Sequence, residues 1–178
     1  PAAPAQSTVS FADWSRLMTD ARAEANAAIA ELDEDDRRRD YVRLGDELAN
    51  AAAEQSGIDN ESIAIERARE ALHLYIGAAY RPAGMVFIPA GTVEVMRPGA
   101  ASAETRRVES FFIDSEPVTV ERFAEFSRAN DWPLPGGGGA AGDMLVSSVT
   151  YYDALAFASS QSPKKTLPSF PQWMRAAR

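Results

Sequence analysis

Pro82 marks the sharpest change in this chain. Before it, apolar residues recur at helical steps; after it, they come in short runs broken by Gly and Pro. A proline lacks the backbone N–H a helix interior needs, so a periodic stripe that reaches Pro82 has to stop there. Three stripes precede it. The first opens at Ser10, with Asp13 three residues on in the spacing of a weak capping box, and runs through Phe11, Trp14, Leu17, Met18, Ala21, Ala25, Ala28, Ile29 and Leu32. The second uses Tyr41, Leu44, Leu48 and Ala52 and stops at Gly57. The third starts near Asp59 or Asn60 and carries Ile65, Ala68, Leu72, Tyr75 and Ala79. Many stripe positions are Ala, which permits close helix approach. The spacing predicts an antiparallel unit of about three helices over 10–82, with no internal repeat, preceded by a stiff Pro-Ala linker over 1–9. The chain begins at Pro1 rather than Met, and such a linker is expected after a signal peptide, a membrane anchor or another domain.

Charge separates the same two regions. Residues 1–83 carry 9 basic and 16 acidic side chains, whereas 84–178 carry 9 and 10. A total of −8 argues against nucleic acid or an anionic membrane as partner, because both require clustered Lys and Arg. No run of 18 apolar residues is present, so no membrane insertion by this chain is expected. There is no Cys, which removes disulfides, thiolate catalysis and thiolate-ligated metals from this chain and leaves the localisation open between reducing and oxidising compartments. In "ELDEDDRRRDY", Glu34–Arg38 and Asp35–Arg39 are expected to pair four residues apart at a solvated helix start. The cluster lacks the alternating ligands and central Gly of a calcium loop. His73, the single histidine, stands off the main stripe and is read as a packed or partly exposed side chain, with no Ser or Cys nucleophile near it in sequence.

After Pro82, "GMVFIPAGTVEV" reads as two β runs around a Pro-Ala-Gly turn. A strand is expected at about Val108–Asp114, a turn at Ser115–Pro117, and a helix capped by Thr119 whose inner face holds Phe123 and Phe126. Thr150 and Asp153 stand in capping-box spacing at the head of a later helix, with Leu155, Phe157 and Ala158 as its packing surface. Phe112, Phe123, Phe126, Val149, Leu155 and Phe157 are the expected core. The run Gly136–Gly139 lacks the flanking strand, helix and Lys of a phosphate loop and is read as a connection. Tyr151 and Tyr152 are expected to pack on their helix. Glu116 and Glu121 are read as turn and helix-start charges rather than an acid–base pair. No residue is singled out as catalytic, cofactor-binding or metal-binding, and no cofactor is expected.

Four motifs in order resemble the formylglycine-generating enzyme family, also called the sulfatase-modifying-factor family. They are Met85–Gly91; Phe112–Thr119 with Phe123 and Phe126; Val149–Ala158; and Leu167–Arg178. The resemblance covers about residues 84–178. It implies an irregular α+β domain with a C-type-lectin-like frame, so the expected fold class is α+β: a helical unit followed by a partial family domain. In family members the segment matching Leu167–Arg178 is followed by the loops that carry the reactive cysteine pair and calcium sites, so 84–178 corresponds to the first half of a domain. Several positions depart from the family pattern. Both acidic residues of the last motif are replaced, around Pro171; Tyr151 stands where a Trp is usual; and Arg97 follows Met96 where a Gly is usual. The resulting expectation is a non-catalytic interaction or scaffolding module, of the kind attached to bacterial signalling, protease or surface assemblies. Leu167, Trp173 and Met174 would form its interaction surface. Its partner would be a protein, with a second chain carrying the rest of the domain as the leading candidate. The alternative is the front part of an active oxygenase.

Overall fold

The computed structural model describes residues 9–57, 60–96, 99, 101–134 and 142–177. The Pro-Ala linker, the Gly136–Gly139 run, Arg97 and Arg178 lie outside the described residues. Among the described residues are six helices and four short strands: α1 (Phe11–Ile29), α2 (Arg37–Gly57), α3 (Glu61–Ala79), β1 (Met85–Ile88), β2 (Gly91–Val95), β3 (Glu104–Val108), β4 (Phe111–Asp114), α4 (Val120–Asn130), α5 (Tyr151–Ser160) and α6 (Phe170–Ala176). The fold is mixed α+β with a helical N-terminal part. The two runs of "GMVFIPAGTVEV" do not pair with each other: β1 pairs with β4, and β2 with β3. Where one strand was expected at Val108–Asp114, two are found, separated at Glu109–Ser110. Among the described residues no helix is long and apolar enough to cross a membrane.

The chain divides into two compact units. One comprises Pro1–Ala83 with Phe87–Gly91 and Glu109–Phe112; the other comprises Gly84–Val86, Thr92–Val108 and Ile113–Arg178.

In the first unit, α3 packs along both α1 and α2, which touch each other far less. Small residues make this possible. Ala25, Ala52, Ala64, Ala68, Ala71 and Ala78 are fully buried, and Tyr75 lies among them. Gly45 is where α2 meets Tyr75: a Cβ there would stand 2.6 Å from the ring, so only hydrogen lets the ring lie against the α2 backbone. The Tyr75 hydroxyl donates to Asp46 Oδ1 at 2.8 Å, and Arg22 donates to both oxygens of Asp46 at 2.6 and 2.8 Å. One carboxylate thereby ties α1, α2 and α3 together. Arg22 and Tyr75 hold that carboxylate below the usual aspartate range, while burial and Asp46 push the Tyr75 phenol up.

Several expectations for this unit are corrected. Leu17 and Leu44 are exposed, because the inward positions beside them are taken by Met18 and by Gly45. Helix α1 ends at Ile29, and Leu32 packs on the core from beyond it. The pairs Glu34–Arg38 and Asp35–Arg39 do not organise the start of α2, which begins only at Arg37. Instead, the Asp36 carboxylate accepts the backbone N–H of Arg38 at 2.9 Å and pairs with its guanidinium at 3.1 Å, while Arg39 donates to the carbonyls of Leu32 and Asp33. Satisfying the first N–H groups of the helix outranks a solvated ion pair.

The second unit has an aromatic centre. Phe123 stacks on Phe157 at 5.6 Å between centroids, and Phe126 meets both edge-on at 5.3 and 5.6 Å. Val118, Trp132, Val146, Val149 and Ala156 pack around them. Two members of the expected core stand elsewhere. Phe112 belongs to the first unit, against Phe87 and Tyr80, and Leu155 is only half-buried on the flank of α5. Trp132 takes a place in this core, and its indole N–H donates to Asp153 at 3.0 Å. Val93, Val95 and Val108 are buried, and Lys165 anchors Asp114 at 2.5 Å.

Candidate functional site

Helix α6 is only seven residues long, so its termini decide whether it forms. Ser169 caps it: its hydroxyl and backbone N–H donate to Gln172 Oε1 at 2.9 and 2.8 Å, and the Gln172 N–H returns to Ser169 Oγ at 3.4 Å. Pro171 sits in the first turn, where its missing N–H costs nothing. Loss of the acidic residues therefore leaves the capping box intact, with Gln doing the work of Glu.

One side of α6 packs against β3. Of the residues expected to form a surface, Trp173 is 55% exposed, while Leu167 and Met174 are half-buried. Sequence reasoning missed Phe170, which is 56% exposed. The signal was present: Phe170 and Trp173 are three apart, so a helix places them on one edge. The outward edge of α6 is thus two large aromatic rings in water, an arrangement that costs solvation free energy unless something covers it. Tyr151 and Tyr152 at the head of α5 are also exposed, meeting each other edge-on at 5.7 Å, rather than packed on their helix as expected. The helix beneath them is held by the expected capping box, with Thr150 N–H and Oγ1 donating to Asp153 at 2.8 and 2.7 Å. These bonds, together with that from Trp132, hold the Asp153 carboxyl below its usual range.

The other polar features are structural in character. Glu116 and Glu121 are both exposed. The first N–H groups of α4 are already engaged: Thr119 Oγ1 accepts from Arg122, Val120 donates to Met144 O at 2.8 Å, and Glu121 donates to Gly142 O at 2.9 Å. Among the described residues no group of three or more His, Asp or Glu side chains is placed to hold a metal ion.

His73 is half-buried, and its Nδ1 lies 3.0 Å from Ser110 Oγ, 37 residues along the chain. Sequence reasoning had no means of seeing this Ser, because only the fold brings Glu109–Phe112 beside α3. Arg69, one turn before His73, pairs with Glu109 at 3.6 Å. Burial, and then Arg69, push the imidazole below its ordinary value, with Glu109 opposing.

A family model for the sulfatase-modifying factor enzyme 1-like domain matches residues 76–178. No curated protein and no solved structure matched the chain.

Proposed function

The chain belongs to the sulfatase-modifying factor enzyme 1-like family, and on that premise we propose that it is a non-catalytic protein-interaction or scaffolding module whose contact surface is the outward edge of α6. The observation that carries this reading is the pair Phe170 and Trp173, both more than half exposed on a short, well-capped helix. Rigid aromatic side chains on a fixed element are the residue types that anchor protein interfaces, since they bring large apolar area at little entropic cost. Leu167 and Met174, expected on the same surface, are half-buried. The lectin-like frame implied by the family supports the same reading, because such frames serve display as readily as chemistry. The chain itself contains no Cys, so it supplies no thiolate of the kind the family's oxidation chemistry uses.

The partner is a protein. A polypeptide bearing the family's later segments, continuous with this chain or separate, is the first to test. The opposing function is a front segment of an active oxygenase. Incubating the chain together with a polypeptide bearing the family's later segments, a cysteine-containing peptide, copper and oxygen, and reading the peptide by mass, discriminates them. Unchanged peptide is expected; conversion of its cysteine to an aldehyde would replace the scaffold reading with the enzymatic one.

A further inference from the structure

We propose that His73 and Ser110 form a pH-sensitive latch that, beside the pairing of β4 with β1, holds the segment Glu109–Phe112 on α3 at neutral pH and loosens it on acidification. The inference concerns the helical unit alone and does not rest on the function proposed above. The latch joins two pieces of one compact unit that are far apart in sequence. The segment contributes Phe112, whose ring lies 5.3 Å from Phe87 and 5.9 Å from Tyr80; Phe87 in turn lies 5.3 Å from Tyr41 and covers Gly77 on α3. The His73–Ser110 bond is a polar hold at the head of this aromatic row. The Arg69–Glu109 pair beside it is more than two-fifths exposed on both sides and spaced at 3.6 Å, a geometry that contributes little.

The proposed latch gives the neutral ring its proton on Nε2, so that Nδ1 accepts from the Ser110 hydroxyl across the 3.0 Å separation. Protonation turns Nδ1 into a donor, forces the hydroxyl to reverse, and places a second positive charge one helical turn from Arg69. The charged groups acting on the ring are Arg69 from α3 and Glu109 from the docked segment. Because the ring is held below its ordinary value of 6.5, the open state binds the proton more readily than the latched one. The latch therefore has its full strength above about pH 6.5 and weakens as pH falls through that value toward the depressed one.

A single histidine makes the experiment unambiguous, since every imidazole signal belongs to His73. The imidazole is titrated by NMR in the intact chain. Amide exchange at Glu109–Phe112 is followed over the same pH range and corrected for intrinsic exchange rates. Expected are a titration midpoint below 6.5 and loss of protection that tracks it. Each unit of depression corresponds to about a tenfold rise in the opening equilibrium between the neutral and acidic limits. His73→Gln keeps an acceptor without titrating and is expected to stay protected throughout. Ser110→Ala is expected to raise the His73 midpoint and lower protection at neutral pH. Protection that stays constant while His73 titrates, or that falls equally in His73→Gln, would overturn the latch.

Discussion

The two units solve the packing problem in opposite ways. The helical unit has a core rich in small residues: six fully buried alanines and a glycine let three helices approach closely, and Met18, Ile29, Val42 and Tyr75 fill the space between them, with the tyrosine hydroxyl satisfied by Asp46. The second unit has short helices and a core of three phenylalanines with a tryptophan beside them. In the first, stability is spread over many close contacts along long helices. In the second, it is concentrated in a few large rings, and each short helix depends on its cap. Close approach leaves little room to add atoms, whereas an aromatic centre leaves little room to remove them.

This contrast is tested most severely by Phe123→Ala. Phe123 is 1% exposed and touches both other rings, so its loss should cost about 3–5 kcal/mol. Denaturation followed through Trp132, which packs in that core, should show the loss; an unchanged midpoint would mean that the aromatic centre is not what holds the second unit. The helical unit should fail the other way. Gly45→Ala adds one carbon 2.6 Å from the Tyr75 ring, and an overpacking cost of about 1–3 kcal/mol is expected by thermal denaturation. A neutral or stabilising result, as helix propensity alone would give, would show that α2 and α3 are not as close as described. The smallest effect concerns acid. The Asp46 carboxyl is held low by Arg22 and Tyr75, so its contribution is complete above the ordinary aspartate range and is lost as pH falls through the depressed value. Because Arg22 is about half exposed, that contribution is at most about 1 kcal/mol. Asp46→Asn should flatten the acid limb of a pH–stability curve by this amount, and an unchanged limb would remove the carboxylate from the account.

The contrast also explains what could be read from sequence. Caps are local: Ser10–Asp13, Thr119 and Thr150–Asp153 act within four residues, and all three were legible. Stripe periodicity located the three long helices, but it placed Leu17 and Leu44 on the inner face, where the buried positions are the adjacent Met18 and Gly45. Contacts made by the fold itself were not legible. Phe112 shares a motif with the residues leading into α4, yet it packs with Phe87 in the other unit, and Ser110 reaches His73 only because its segment is returned to α3. At α6 the exposure of Trp173 agrees with its place on the expected surface, whereas the exposure of Phe170 was not legible from a motif read for its charges.

The central claim is that the aromatic edge of α6 is a protein-contact surface. The measurement that bears on it most directly is light scattering with intact-mass analysis of the chain, alone and mixed with a polypeptide carrying the family's later segments, in wild type and in a Phe170→Ser, Trp173→Ser variant. The account predicts a defined complex with the wild-type chain, a blue shift of Trp173 emission as it forms, and loss of the complex in the variant. A monomer in every mixture, or a complex that forms equally well without the two rings, would contradict it.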